Sequence, residues 1–171
     1  MSPETPEDVE IRWAGPGDRA AIAELVLQTK RHYGEEPAPA AAIEAAVADW
    51  LAQKPGHALF VIAHVDGAPA GYASVAVTPP GMGLCAALYM KELFVSSEAR
   101  GHGIGHRLLA FIARYCVDQD IERIDLTTAV DNDAGIRFYE RAGATVQKQK
   151  IALRFETASL RRLAGEDHQG E

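Results

Sequence analysis

One stretch limits what this chain can fold into more than any other: residues 88–109, LYMKELFVSSEARGHGIGHRLL. It opens on apolar, β-favouring residues (Leu88, Tyr89, Leu93, Phe94, Val95) bounded by polar Ser96-Ser97-Glu98, which predicts a strand. It then turns through Arg100-Gly101-His102-Gly103-Ile104-Gly105 and resumes with Leu108, Leu109, Ile112 and Cys116 at helical spacing. Glycines at alternate positions let backbone approach a ligand closely. The start of a helix behind them adds unpaired N–H donors and partial positive charge. Arg100 adds a full charge at the mouth. Strand, glycine turn and helix start together predict a seat for a pyrophosphate-like anion.

Three anion-binding loops compete for that description. A Walker loop needs Gly-Lys-Ser/Thr, and no Lys follows these glycines. A dinucleotide fingerprint wants glycine where His106 stands. The third pattern, Arg/Gln-x-x-Gly-x-Gly/Ala, is matched at every fixed position by Arg100 to Gly105. Later in the chain, Asn132-Asp133-Ala134-Gly135-Ile136-Arg137-Phe138-Tyr139-Glu140-Arg141-Ala142-Gly143 is similar to Asn-x-x-Ala-x-x-Phe-Tyr-Glu-Lys/Arg-x-Gly. Both patterns, in this order, resemble the GNAT superfamily of N-acetyltransferases. The resemblance covers roughly residues 9 to 156. Locally, Leu88 to Val95 resembles the central strand of the diamine acetyltransferases (spermidine/spermine and thialysine enzymes). Where those carry two adjacent acids, this chain has Lys91-Glu92. Gly135 replaces the usual Ala of the second pattern, and Ala144 the usual aromatic after its closing glycine.

The resemblance implies an α/β fold of mixed α+β type: a central mixed, mostly antiparallel sheet with helices on both faces. Two neighbouring parallel strands would splay, one ending at Val95 and one near Thr128. It implies acetyl-CoA as co-substrate and no metal. Arg100, Gly101, His102, Gly103, Ile104, Gly105 and His106 would hold its pyrophosphate. Backbone around Leu93, Phe94 and Val95 would hold the pantetheine arm, joined by Asn132, Phe138 and Tyr139. An amine of pKa about 10.4 is protonated at neutral pH and needs a proton acceptor before it can attack. Glu92 is the candidate base, with simple binding of a cationic acceptor as its alternative role. Tyr139 matches the tyrosine that assists departure of the thiolate. Acceptor contacts are expected between the first two helices, where His32 and Tyr33 are candidates and Glu35 and Glu36 read as solvated charges.

The rest of the chain reads as one domain over residues 9–164, with a leader at 1–8 and a tail at 165–171. Val9, Ile11 and Trp13 alternate as a first strand, and Asp18 is a candidate helix cap. Two helices follow, one through Ile22 and Leu25 to His32-Tyr33-Gly34, one through Ile43, Val47 and Leu51, with Pro37 and Pro39 between them. Lys54-Pro55-Gly56 ends the second. His57–Val65 and Ala70–Val77 form a hairpin about Asp66-Gly67. Pro79 to Gly83 is a loop, and the central strand begins near Leu84–Ala87. Beyond the central helix come a strand at Arg123–Thr128, the Asn132–Gly143 helix, one or two strands in 144–155 and a short helix at 157–164.

A net charge of −7 argues against a general nucleic-acid binder. The two cysteines, Cys85 and Cys116, make no disulfide framework and are expected as buried thiols. With no apolar run of membrane length and no secretory signal, a cytoplasmic protein without membrane contact is expected. His102 and His106 have zinc-helix spacing but lack the catalytic glutamate between them, and His57 and His64 lack companions. The function expected is acetylation of a small primary amine, an amino acid or diamine first, by direct attack in a ternary complex. An aminoglycoside or protein acceptor is the alternative within that class, and a non-catalytic acyl-CoA sensor the alternative to it. Glu92 and Tyr139 together favour the enzyme. Relatives' habits imply a homodimer.

Overall fold

The structure is a computed structural model, described over residues 8–36, 38–52, 58–79 and 85–165. Its elements run β1 (Val9–Trp13), α1 (Arg19–His32), α2 (Ala40–Leu51), β2 (Leu59–Val65), β3 (Ala68–Thr78), β4 (Ala87–Val95), α3 (Ile104–Asp118), β5 (Arg123–Leu126), α4 (Asp133–Arg141) and α5 (Thr157–Leu163). Two compact units result, Met1–Ala129 and Val130–Glu171.

In the first unit the sheet follows chain order, β1-β2-β3-β4-β5. The first three pairings are antiparallel and β4–β5 is parallel, so the sheet is mixed and mostly antiparallel. Asp66 and Gly67 both take positive φ, 50° and 78°, which is the turn that lets β2 and β3 close with the right twist. Alternation then sorts the side chains. Ile62, Tyr72 and Phe94 join a core with Ile22 and Leu25 of α1 and Ile43, Val47 and Leu51 of α2. The other face meets α3, whose buried residues Ile104, Leu108, Ile112 and Cys116 recur at helical spacing. Gly71 lies on that face, and a Cβ there would meet Phe94 O at 2.6 Å and Leu108 Cδ1 at 3.4 Å. Trp13 closes the β1 end with edge contacts to Phe111 and Tyr115 at 5.4 and 4.9 Å. Helices therefore cover both faces of the sheet, as expected.

Asp18 stands at the N-cap of α1, but its side chain does not cap that helix. It turns back to accept from Gly15 N at 2.8 Å and from both terminal nitrogens of Arg12 at 2.7 and 2.8 Å. The paired guanidinium wins because a two-pronged charged contact outweighs one amide bond. Asp18 is pulled down to about 2, first by the Arg12 hydrogen bond. Cys116 is buried as expected, whereas Cys85 is only half-buried; both are free thiols.

The second unit holds α4 and α5. Asn132 Oδ1 accepts from Gly135 N at 3.0 Å and caps α4. A Cβ on Gly135 would stand 2.5 Å from Asn132 Nδ2, so glycine makes room for the capping side chain. Gly143, at φ 100°, ends the helix. The strand expected within 144–155 is absent from the described residues. Local bonds from Lys148 N to Val146 O and from Lys150 N to Gln147 O, both 3.2 Å, turn the backbone there instead.

The expected leader and tail, the 54–56 helix end, Pro37, His57 at the start of its strand, and the 80–84 loop and strand start fall outside the described residues, apart from Asp8 and Gly165 at the inner ends of leader and tail.

Candidate active site

The expected anion seat is built as a strand, a tight turn and a helix. After β4 the chain makes a single 3-10 turn at Ser97–Ala99, tied back by Ser96 N to Ala70 O at 2.9 Å. Gly101 and Gly103 then take φ of 83° and 75°, conformations that side-chain-bearing residues rarely adopt. Gly103 is the N-cap of α3, and no side chain caps that end. The first bond of the helical ladder runs from Arg107 N to Gly103 O at 3.0 Å. The amides of Ile104, Gly105 and His106 precede that ladder, which is the donor set an anion needs. Gly105 differs from its two companions: it lies within the first helical turn rather than in a left-handed conformation.

Arg100 is held in place by its own strand. Its Nε donates to Val95 O at 3.1 Å, and its guanidinium lies 5.7 Å from the Phe94 ring centroid. The exposed tip is left facing solvent at the loop. His102 is half-buried, with Nδ1 3.4 Å from Ala99 O, while His106 is exposed.

The β4–β5 pairing provides the gap. It runs from Ala87 opposite Arg123 to Met90 opposite Leu126 and stops, while β4 continues as Lys91–Val95. Just past the last pair, the Tyr89 hydroxyl meets Thr127 Oγ1 at 3.0 Å. On its other side β4 carries a bulge: Glu92 pairs with Ser74 but Met90 with Val75, so Lys91 is the extra residue. The bulge sets the side-chain phase. Glu92 and Phe94 share the face of Tyr72 and Ser74, toward α1, and Leu93 takes the opposite face.

Glu92 is half-buried there, and burial raises its carboxyl above the usual carboxylate range. Among the described residues its carboxylate has no hydrogen bond or ion pair. Lys91 and Lys30 act on it through space in one direction and Glu35 in the other. The end of α1 supplies the surrounding wall. His32 stands 6.2 Å from the Phe94 ring and 5.1 Å from the Tyr33 ring, and Tyr33 is 58% exposed. The structure thus brings His32, Tyr33, Glu92, Phe94 and Arg100 into one neighbourhood.

Sequence reasoning missed three residues of this neighbourhood. Lys30 pairs at 2.7 Å with Glu35, which is exposed as expected. Tyr72 is buried beneath the site, its phenol pushed up to about 12 by that burial and 3.5 Å from Thr29 Oγ1. Tyr89 bridges to Thr127. Tyr72 and Tyr89 look like ordinary strand aromatics in the sequence, and only the register shows what they face.

Asn132, Phe138 and Tyr139 belong to the second unit. Asn132 holds the start of α4, and the Phe138 and Tyr139 rings meet edge-on at 5.0 Å. Both rings are half-buried.

The chain is similar to several known proteins. A thialysine N-epsilon-acetyltransferase of Sus scrofa is 28% identical over 81 residues, covering 46% of this chain and 48% of that protein. The chain thus spans about half the length of the curated relatives it matches. An integron cassette protein from the mobile metagenome of V. cholerae superposes with a TM-score of 0.79 at 29% identity, over 96% of this chain and 98% of that one. An aminoglycoside N-acetyltransferase solved in complex with CoA shares the fold, with a TM-score of 0.70 at 19% identity over 86% of this chain and 95% of its own. Residues 20–144 match the profile of the Acetyltransferase (GNAT) family, and over that span, most of the chain, the strand, glycine turn and helix described above take their places in it: the protein belongs to that family.

Proposed function

We propose that this protein transfers an acetyl group from acetyl-CoA to the primary amine of a small molecule, an amino acid or a diamine, by direct attack in a ternary complex. The observation that carries the proposal is Glu92: a half-buried carboxylate, unclaimed among the described residues, on β4 beyond the last β5 pair and a few residues before the expected anion seat. A carboxylate with a raised pKa accepts a proton more readily near neutral pH than an exposed one.

The residues fit the co-substrate. The donors ahead of the α3 ladder, with the exposed tip of Arg100, suit a pyrophosphate. The stretch of β4 beyond β5 suits an extended arm carrying amides of its own. When bound, acetyl-CoA supplies an acyl group activated as a thioester. The chain does the rest. Glu92 takes the amine proton, directly or through a water. Backbone donors near Phe94 and Val95 hold the carbonyl oxygen as its charge grows. Tyr139, assigned from its place in the second motif, holds a proton at the departing sulfur. A phenol near pKa 10 facing a thiol near about 8.5 makes complete transfer mildly uphill, so a strong hydrogen bond there serves as well.

The test is coenzyme A release from acetyl-CoA over a panel of diamines, polyamines, basic and neutral amino acids and aminoglycosides. Turnover of a small amine should fall about 100-fold in kcat for Glu92→Gln and for Tyr139→Phe. Undiminished acetyl-CoA binding with no turnover of any amine would overturn the proposal and favour a sensor of the coenzyme.

A further inference from the structure

Glu92 is not the only unclaimed charge at the end of α1. Lys91, the bulge residue of β4, is exposed and has no hydrogen bond or ion pair among the described residues. Its ammonium is close enough to act on both Glu92 and Glu35. The other cation nearby, Lys30, is already taken by Glu35 at 2.7 Å. Adjacent on the strand, then, stand one free carboxylate and one free ammonium, with a satisfied ion pair behind them.

A ligand that complements such a pair carries both charges itself. Resting on the acetyl-transfer reading above, we infer that the acceptor is zwitterionic: an amino acid whose carboxylate is taken by Lys91 while its reacting amine faces Glu92. A diamine or polyamine would satisfy Glu92 but bring a second cation against Lys91, with the nearby Glu35 already paired to Lys30. Like charges set against one another in a site discriminate as strongly as matched charges attract. The bulge makes the arrangement possible. In an unbroken strand, neighbouring residues point to opposite faces. The extra residue turns Glu92 toward α1 and leaves Lys91 outside the ladder beside it. Lys91 is thus assigned as a specificity-determining residue, without a part in the chemistry.

Matched acceptor pairs that differ only by the carboxylate test this: L-lysine against cadaverine and L-ornithine against putrescine, with L-alanine, spermidine and an aminoglycoside alongside. The wild-type protein should prefer the amino acid of at least one pair by about tenfold in kcat/KM, the ratio one well-placed charge contact supports. Lys91→Glu should reverse that preference, chiefly through KM, and Lys91→Arg should retain it. Far-ultraviolet circular dichroism and thermal melting of each variant show whether the fold is kept. Equal use of both members of each pair, or a ratio unmoved by Lys91→Glu in a folded variant, overturns the inference while acetyl transfer stands. Turnover of the aminoglycoside or spermidine alone does the same. No turnover of any amine overturns the transfer reading and this one with it.

Discussion

Two stretches of this chain carry similar apolar alternation and end in different states. In β3 and β4, Val75, Leu88 and Met90 are at most 2% exposed, lying within a sheet with α3 on one face and α1 and α2 on the other. In the second unit Ile151, Leu153 and Phe155 also alternate, yet they are 83, 84 and 64% exposed, and no strand forms among the described residues of 144–156. Alternation states which side chains could share a face; a strand needs a neighbouring edge for its amides. Just ahead of Ile151 the backbone bonds to itself in turns, Lys148 N to Val146 O and Lys150 N to Gln147 O.

The largest contrast should appear on truncation. Leu108→Ala, at a site with no exposure, should cost about 3–4 kcal/mol in urea unfolding. Leu153→Ala should cost less than about 0.5 kcal/mol. A cost at Leu153 approaching that at Leu108 would show the 144–156 stretch packed against another surface in solution and would erase the distinction.

A second difference concerns charge. Burial raises the Glu92 carboxyl, so the folded chain holds its proton to higher pH than the unfolded chain does. Stability contributed at this site is therefore highest below the ordinary carboxylate pKa and falls as pH rises through the raised folded value. Glu92→Gln should raise the melting temperature at pH 7 while lowering kcat about 100-fold, and the gain in stability should vanish at acid pH. In the wild-type protein kcat/KM should fall on the acid side with an apparent pKa above the ordinary carboxylate range. A variant less stable than wild type at pH 7 would show Glu92 to be paired rather than held ready.

The smallest effect belongs to α4. Replacing glycine by alanine inside a helix usually gains about 1 kcal/mol. At Gly135 the new Cβ would displace the Asn132 cap, itself worth about 1 kcal/mol, so Gly135→Ala should be near neutral or slightly destabilising. With Asn132→Ala already in place, the same change should stabilise. A double-mutant cycle in thermal unfolding reads the difference.

Much of the fold was legible in the sequence. The hairpin at Asp66-Gly67, the α3 spacing and the glycine turn ahead of that helix each follow from rules acting within a few residues, although α3 begins at Ile104 and takes in Gly105. The backbone of the expected anion seat was legible for the same reason, because it comes from one continuous turn. Asp18 misled because capping chemistry is local, whereas its actual partner, Arg12, reaches it across the first turn of the chain. The 144–155 strand misled because pairing depends on an edge that the strand's own residues do not encode. Around Glu92, Tyr72 and Lys30 were missed because they come from elements far apart in sequence.

By itself, then, the sequence determined most of the elements, the glycine turn ahead of α3, and the residue types available for proton transfer and phosphate binding. These depend on backbone preferences and on side-chain chemistry at short range. Only the tertiary structure decided that β4 outruns β5 past Met90, that a bulge at Lys91 turns Glu92 toward α1, and that the charges of Lys30, Glu35 and Lys91 act on it. Register and burial are properties of strand pairs and packed faces. The raised carboxyl of Glu92 follows from those, and no single segment carries them.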